Sequence, residues 1–473
     1  MSNVRVRIAP SPTGFPHIGT IFQALINYAV AKNAKPKGKF IVRIEDTDRA
    51  RFIEGAEDAI FEALDWFGLI PDESPKHGGP YPPYRQSEKL DRYKERAQWL
   101  VDHEKAYYCF CSADELNAMR KKQQQEGKPP MYDGRCKKID SSEAKERAIH
   151  EPHIIRMKIE YHEPTLNIKD DIRGEIKFEI KLIDDQVILK SDGFPTYHLA
   201  VVVDDHDMEI THVIRGEEWI SSTAKHVLLY QYFDWNPPNF LHTPLLRNPD
   251  GSKLSKRHSH AAVSWYKEQG FLPEAILNYL ANLVYNHPKG EIFSLEEFVS
   301  SFTDRTKIHS VGARFDITKL EWMNGEYIRK NQSASWRTKI KNQILDFYGR
   351  KLPEDIVEKT IPLIRERIKK LSDYLPLCQF FYERPQEYET DLTDKKKILA
   401  DTAIQLKKLP DWKAERIGET MQLIQKTSGM KPGDYFMAMR VAVTGKKISP
   451  PLNESMEILG KDEVLARLKN IRI

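Results

Sequence analysis

The first twenty residues constrain the fold more than any other stretch of the chain. Residues 4–8 alternate apolar and arginine side chains as a β-strand does, and two prolines and Gly14 then break the pattern. From His17 onward apolar residues return at helical spacing. Such a strand, turn and helix aim the helix dipole and its first unpaired N–H groups at one point, where polyphosphate binds well. We therefore predict an anion site here, with His17 as a donor and Gly19 admitting a ligand close to the backbone.

A second segment, far along the chain, offers positive charge to the same kind of ligand. Residues 253–257 read Lys-Leu-Ser-Lys-Arg and follow a turn-forming Asn-Pro-Asp-Gly. Lys253 and Lys256 are three residues apart, so both can close on the same phosphates. Each segment alone has a plain structural explanation, as loop punctuation or a polar cap. Together they favour phosphate binding.

The two segments also carry a family resemblance. His17-Ile18-Gly19-Thr20 and residues 253–257 resemble the paired HIGH and KMSKS signatures of the class I aminoacyl-tRNA synthetases. Further stretches resemble the bacterial-type glutamyl-tRNA synthetases within that class: 7–14, 43–49, 193–200, 215–219, 271–275 and 322–325. Several ordered motifs at compatible spacing are a far more specific signal than one four-letter motif.

The order of patterns predicts an α/β fold. Alternating strands and helices in the first hundred residues indicate a mostly parallel, Rossmann-like sheet, and we expect the apolar run Val201-Val202-Val203 to be one of its central strands. Ser221 or Ser222 is expected to cap the helix that follows the strand at residues 213–214. Together with the resemblance, this gives five predicted parts: a catalytic first half, an inserted α+β domain that grips the acceptor end of tRNA, a catalytic second half, a helical domain contacting the tRNA stem, and an all-α anticodon-binding region, at residues 1–105, 106–190, 191–257, 258–330 and 331–473.

Composition limits the location and the partners. The chain is 30% charged and has no apolar run approaching the roughly 18 residues of a membrane span. A cytoplasmic protein without membrane contact is expected. Residues 331–473 hold 27 Lys and Arg against 20 Asp and Glu, an excess that suits a polyanion but is also common on a solvated helical surface.

The resemblance implies a two-step reaction. Glutamate attacks the α-phosphate of ATP, and the glutamyl group then passes to the 3′ end of tRNA(Glu). Because the attacking carboxylate is already charged, the first step needs alignment and charge neutralisation rather than a general base. The expected catalytic residues are His17, Lys253 and Lys256, with Gly19, Glu218 and Trp219 also binding ATP. Mg²⁺ is expected to accompany the ATP.

The glutamate site should pair two cations with one anion. Arg7 and Arg215 each lie at the C-terminal edge of a predicted strand, and a planar guanidinium can grip a carboxylate where lysine cannot. Glu45 would meet the ammonium group, and the remaining contacts are assigned to Ala9, Ser11 and Tyr197.

Three of the four cysteines lie close together in the predicted insertion. Some members of the family bind zinc there through Cys-x-Cys followed by Cys-x-His. Cys109, Cys111 and Cys136 match this pattern, but Lys138 stands at the histidine position, and lysine is a poor zinc ligand. Tyr132 or water could complete the four ligands, or the metal could have been lost.

Four other functions fit the sequence less well. A tRNA-binding paralogue without activity conflicts with the intact His17, Lys253 and Lys256. A truncated relative that glutamylates a modified tRNA base lacks the region after residue 331, and a pantothenate-type ligase would not explain that region. The glutaminyl enzyme differs at residues 9–14 and in its C-terminal part. We expect a monomer that uses tRNA(Glu), and the sequence leaves use of tRNA(Gln) open.

Overall fold

The structure is a computed structural model that describes residues 3–160, 163–252, 254, 261–312, 314–330, 335–349 and 354–469. Its contacts divide the chain into two compact units. The first unit comprises Met1–Trp265 with Leu277–Asp316, and the second comprises Tyr266–Ile276 with Ile317–Ile473. The division into five functional parts is finer than these units and stays a prediction.

The strands and helices follow in chain order. The strands are β1 Arg5–Ile8, β2 Lys39–Val42, β3 Ala106–Cys109, β4 Ile154–Met157, β5 Thr165–Asp170, β6 Gly174–Glu179, β7 Val187–Leu189, β8 His212–Gly216 and β9 Asn239–Thr243. Helices of the first half are α1 Ile18–Asn33, α2 Ala56–Phe67, α3 Leu90–Asp102, α4 Ala113–Gln125, α5 Ser141–His150, α6 Tyr197–Asp207, α7 Ile220–Tyr232, α8 Val263–Glu268, α9 Pro273–Asn282 and α10 Leu295–Ser301. The later helices are α11 Ile317–Lys330, α12 Ser335–Tyr348, α13 Glu354–Ile364, α14 Tyr374–Cys378, α15 Lys396–Lys407, α16 Ala414–Ser428, α17 Pro432–Thr444, α18 Leu452–Leu459 and α19 Lys461–Lys469.

The main sheet has the order β2-β1-β8-β9-β5-β6. Every neighbouring pair from β2 to β5 is parallel, and only the β5–β6 hairpin is antiparallel. The chain leaves β1 through α1 to β2 on one side and returns much later to β8 on the other. Ligands of open α/β sheets bind off the carboxyl ends of the strands at such a reversal of strand order, which places the candidate site beyond Ile8 and Gly216.

The antiparallel sheet expected between residues 106 and 190 is present. It consists of β3, β4 and β7, all paired antiparallel. The β5–β6 hairpin in the same stretch instead extends the main sheet, because Asp170 of β5 pairs with Phe240 of β9. The predicted insertion therefore contributes two strands to the sheet that carries the candidate site.

Two sequence predictions about secondary structure are wrong. The run Val201-Val202-Val203 is not a strand but lies within α6, where its side chains are almost completely buried. A short apolar run fits a buried helix as well as a buried strand, and periodicity alone does not separate them. Neither Ser221 nor Ser222 caps α7, which begins at Ile220 after a single 3₁₀ turn and has no side-chain cap.

The second unit is helical in its described residues, as the proline-punctuated pattern predicts. One of its cores gathers Trp336, Ile340 and Tyr374, and another gathers Leu399, Met421 and Tyr435. No helix among the described residues is long and apolar enough to cross a membrane.

Candidate functional site

A cavity of about 830 Å³ opens at the carboxyl edge of the main sheet. All ten expected ligand-binding residues outside the lysine segment line it, namely Arg7, Ala9, Ser11, His17, Gly19, Glu45, Tyr197, Arg215, Glu218 and Trp219. Lys253 and Lys256 lie outside the described residues. The sequence thus selected residues from four separate stretches that the fold brings to one cavity.

His17 forms the N-terminal cap of α1. Its Nδ1 accepts a hydrogen bond from the Gly19 N–H at 2.9 Å, so the neutral ring carries its proton on Nε2 and can donate from there. The N–H groups of Thr20 and Ile21 both contact the carbonyl of His17. This corrects the expectation of unpaired first-turn N–H groups for Gly19 and Thr20, whose N–H groups donate to His17. The N-terminal end of α1 presents two features to an anion, namely the positive end of the helix dipole and the His17 ring.

Gly19 makes room for the same ring. A Cβ at this position would lie 3.1 Å from His17 Nδ1, closer than most such contacts. A side chain at residue 19 would therefore press on the capping imidazole before it met a ligand.

Arg7 is buried, and its charge is already paired. Its Nε and Nη2 donate to the two carboxylate oxygens of Asp205 at 2.9 and 3.0 Å. Arg43 donates to Asp205 at 2.7 Å and to Glu45 at 3.1 Å. Burial opposes ionisation of Asp205, but the charges of Arg7 and Arg43 outweigh it and hold the pKa of Asp205 below its ordinary value.

Glu45 stands at the end of this network. It is 8% exposed, and burial raises its pKa although Arg43 and Arg7 act in the opposite direction. A carboxylate in this condition gains from a further cation, and the ammonium group of an amino acid is one.

Arg215 contrasts with Arg7. It is 6% exposed, and Nε donates to His242 Nε2 at 3.1 Å, Nη1 to the Tyr197 hydroxyl at 2.9 Å and Nη2 to Thr223 Oγ1 at 2.8 Å. His226 Nδ1 lies 3.3 Å from Nη1. All of these partners are neutral, and no carboxylate among the described residues forms an ion pair with Arg215. Burial lowers the pKa of Arg215, but a guanidinium starts so high that it stays charged.

The Tyr197 hydroxyl accepts from Arg215, so its own proton is available to another acceptor. Burial raises the pKa of Tyr197 and keeps this proton in place. The ring lies 4.7 Å from that of Trp219, which is 40% exposed. Glu218 folds back over Gly216, where a Cβ would collide with the Glu218 carboxylate. Trp219 therefore presents an open aromatic surface at one wall of the cavity.

Sequence reasoning missed most of the partners that hold these side chains. The run at residues 201–203 was expected to form a strand, and Asp205 was assigned no partner; Asp205 lies in α6 and binds Arg7. Thr223, His226 and His242 carry no motif that marks them as contacts of Arg215. The available signal was weak: four polar residues follow the apolar run in 201–203, which is unusual if all of them face solvent.

The three clustered cysteines converge on one point, as the ligands of a metal site do. Their Sγ atoms lie within 4.8 Å of one another, with Cys111 and Cys136 at 3.6 Å. The Tyr132 hydroxyl is 3.5 Å from both Cys109 Sγ and Cys111 Sγ. Tetrahedral zinc with Zn–S near 2.3 Å and Zn–O near 2.0 Å implies S···S of about 3.8 Å and S···O of about 3.5 Å. The donor set therefore fits zinc, with Tyr132 at the fourth corner.

The surroundings of this cluster act in opposite directions on two of its thiols. Burial opposes ionisation of the Cys109 thiol, but its contacts with Tyr132 and Arg156 outweigh burial and lower its pKa. Burial raises the pKa of the Cys111 thiol to about 12, which a bound cation would reverse. Lys138 is exposed in the turn that follows Cys136 and is no part of the cluster.

A parallel sheet with a capped helix mouth and a charged cavity at its switch point defines a nucleotide-binding α/β enzyme. The family model of class I tRNA synthetases (E and Q), catalytic domain, matches residues 3–322, and that of an anticodon binding domain matches residues 336–472. The chain is 45% identical to a glutamate–tRNA ligase of Acidothermus cellulolyticus, with 98% of this chain and 95% of the relative covered. A glutamate–tRNA ligase of Psychrobacter cryohalolentis is 42% identical, with coverages of 99% and 92%.

Two solved structures of glutamate–tRNA ligases are similar to almost the whole chain. A glutamate tRNA ligase from Elizabethkingia meningosepticum, crystallised with its amino acid, has a TM-score of 0.87 at 35% identity, with 99% of this chain and 98% of that one covered. The glutamate-tRNA synthetase of Elizabethkingia anophelis has a TM-score of 0.88 at 35% identity and 99% coverage of both chains. The chain belongs to the class I tRNA synthetases and, within them, to the glutamate–tRNA ligase family.

Proposed function

We propose that the protein activates L-glutamate with ATP and transfers the glutamyl group to the 3′ end of tRNA(Glu). One observation carries the choice of amino acid: the buried Arg215 faces the cavity without a carboxylate partner among the described residues. An uncompensated buried cation favours a ligand that brings an anion. The family of the chain supplies the reaction type.

The two carboxylates and the ammonium group of glutamate are assigned to different residues of the cavity. The side-chain carboxylate is assigned to Arg215 with Tyr197, and the ammonium group to Glu45. The other carboxylate is assigned to Arg7, with Ser11 and the backbone at Ala9, since the two bonds of Arg7 to Asp205 use Nε and Nη2 but not Nη1. A glutamine side chain would bring an amide whose NH₂ cannot accept from Arg215, leaving a buried N–H donor unpaired at a cost of about 1–3 kcal/mol.

Adenylate formation needs alignment and charge. The glutamate α-carboxylate is charged at neutral pH and attacks the α-phosphate of ATP, and negative charge accumulates on the departing pyrophosphate. His17 donates from Nε2 to a phosphate oxygen at the positive end of α1. Lys253 and Lys256 are proposed to supply the remaining positive charge, Gly19, Glu218 and Trp219 to hold the nucleotide, and Mg²⁺ to arrive with the ATP.

The remaining assignments follow from the family and are part of the proposal. The region matched by the anticodon-binding model is proposed to read tRNA(Glu), and the insertion at residues 106–190 to hold the acceptor end. A cytoplasmic monomer is part of the same proposal.

Charging of purified tRNAs tests this function directly. The protein should attach radiolabelled glutamate to tRNA(Glu) with ATP and Mg²⁺ present, and should leave glutamine unattached. Separate assays with tRNA(Glu) and tRNA(Gln) show whether one or both are substrates. An inability to charge either tRNA with glutamate would refute the proposal.

We also propose that Cys109, Cys111, Cys136 and Tyr132 hold one zinc ion. Elemental analysis of protein purified and dialysed without chelator should find about one zinc per chain. A Cys111→Ser variant should lose it, because a structural site needs its full set of ligands. Cys378→Ser is the matched control, since Cys378 is buried in the second unit and lies outside the cluster. Equal zinc contents in the two variants would contradict the assignment.

A further inference from the structure

Behind Arg215 lies a buried carboxylate that reaches it only through an imidazole. Oδ2 of Asp170 accepts the ring Nδ1–H of His242 at 2.7 Å and the backbone N–H of His242 at 3.0 Å. Nε2 of the same ring then accepts from Arg215 Nε at 3.1 Å. His242 and Asp170 are 1% and 2% exposed, so these contacts do not compete with solvent.

Asp170 is bound in a way that only a carboxylate satisfies. Besides the two donors of His242, its Oδ1 accepts the backbone N–H groups of Ile172 and Arg173, each at 2.9 Å. Four donors surround the group, and an amide would turn its NH₂ toward two of them. The carboxylate therefore fixes the tautomer of His242, with the proton on Nδ1 and the lone pair of Nε2 facing Arg215. The other tautomer would oppose N–H to N–H.

Arg215, His242 and Asp170 lie on neighbouring strands of the main sheet. Arg215 of β8 and His242 of β9 are direct partners across the parallel pair, and Asp170 of β5 is bridged to β9 at Phe240. Sites built on strands hold side-chain positions more closely than sites on loops.

We propose that Asp170 and His242 form a positioning pair that sets the guanidinium plane of Arg215 toward the side-chain carboxylate of the amino acid. The neutral ring keeps the negative charge of Asp170 one residue away from the guanidinium. A direct ion pair between Asp170 and Arg215, like the pair between Asp205 and Arg7, would cancel much of the positive charge that attracts the substrate carboxylate. The pair thereby orients Arg215 without neutralising it. This inference rests on the proposed function, in which Arg215 binds the glutamate side chain.

Two substitutions at His242 separate positioning from simple structural support. In His242→Gln, the amide oxygen reaches the place of Nε2 and can accept from Arg215, although the bond to Asp170 is lost. In His242→Asn, the shorter amide lies at the place of Nδ1, keeps the bond to Asp170 and cannot reach Arg215. A merely structural role predicts that Asn is tolerated at least as well as Gln. Positioning of Arg215 predicts the reverse.

The measurement is ATP–pyrophosphate exchange with tRNA(Glu) present, at varied glutamate and at varied ATP, beside thermal melting with and without glutamate. We expect His242→Asn to raise the KM for glutamate about 10-fold or more, from one unmatched buried donor, with the KM for ATP unchanged. His242→Gln should stay within about 3-fold of the wild type, and Asp170→Asn should resemble His242→Asn.

The outcomes separate the two hypotheses. A wild-type protein without glutamate-dependent exchange would overturn the proposed function and this inference with it. An active wild type in which His242→Asn keeps its glutamate KM, or in which Gln is no better than Asn, would overturn the inference alone. If Asp170→Asn does not fold, the comparison of His242→Gln with His242→Asn still decides between positioning and structural support.

Discussion

Replacing Arg215 by alanine should raise the KM for glutamate by about 30-fold to a few thousand-fold while leaving the KM for ATP nearly unchanged. Truncating one partner of a buried, hydrogen-bonded charge pair costs about 2–5 kcal/mol, and each 1.4 kcal/mol is tenfold in affinity. The effect should be specific to the amino acid, because the recorded contacts of Arg215 are neutral groups that water can satisfy after truncation. Pyrophosphate exchange with tRNA(Glu) present, at varied glutamate and at varied ATP, measures both constants.

Two further variants sharpen this result. Arg215→Lys keeps the charge and loses the planar fork, so its glutamate KM should lie between those of the wild type and of Arg215→Ala. Arg92→Ala is the control for loss of an arginine, since Arg92 pairs with Asp207 away from the cavity. An unchanged glutamate KM in Arg215→Ala would refute the assignment of this residue.

Arg7 gives a less direct test of the same pocket. Removing it also leaves Asp205 buried, with Arg43 as its remaining ionic partner among the described residues, and breaking a buried pair destabilises the folded state by about 3–5 kcal/mol. A raised glutamate requirement in Arg7→Ala would therefore mix lost binding with lost stability. The two arginines looked equivalent in the sequence, where each lies at the C-terminal edge of a predicted strand.

The residues that the sequence predicted well are those whose neighbours along the chain set their position. A strand, a break and an amphipathic helix place His17 at a helix mouth, and a strand ending in Gly216 places Arg215 at the sheet edge. Parallel strands bring such ends together whatever the intervening chain does. The positions of these residues followed from local patterns and from the family resemblance.

What the sequence could not provide depends on contacts between distant segments. Asp205 binds Arg7 across 198 residues, and His242 reaches Asp170 across 72. A carboxylate next to an apolar run carries no local mark of its partner, and the run at residues 201–203 was mistaken for a strand although it lies within α6. The role of Tyr132 could be named only as one of several options, because the approach of its hydroxyl to the cysteines depends on the folded turn.

Replacing His17 by asparagine should lower kcat of adenylate formation about 100- to 1,000-fold, with the KM for glutamate little changed. Removal of one preorganised donor from a developing negative charge has this effect in other enzymes. Asparagine is among the best N-cap residues, so its side-chain oxygen can accept the Gly19 N–H as Nδ1 does now. The amide is shorter than the imidazole and cannot place a donor where Nε2 stands. The kcat of pyrophosphate exchange at saturating glutamate and ATP measures the loss.

His17→Ala separates the two tasks of this histidine. It removes both the cap and the phosphate donor, so its kcat should match that of His17→Asn, while its free energy of unfolding should be lower by about 1 kcal/mol through loss of the cap. If His17 served only to cap α1, as a loop-punctuation reading of the sequence allows, asparagine would preserve both stability and rate. A His17→Asn variant with undiminished kcat would thus leave the helix mouth with a structural histidine and move the phosphate contact elsewhere in the cavity. A stable His17→Asn variant with a collapsed rate would assign the donor to Nε2, because asparagine keeps the cap to the Gly19 N–H and places no donor where Nε2 stands.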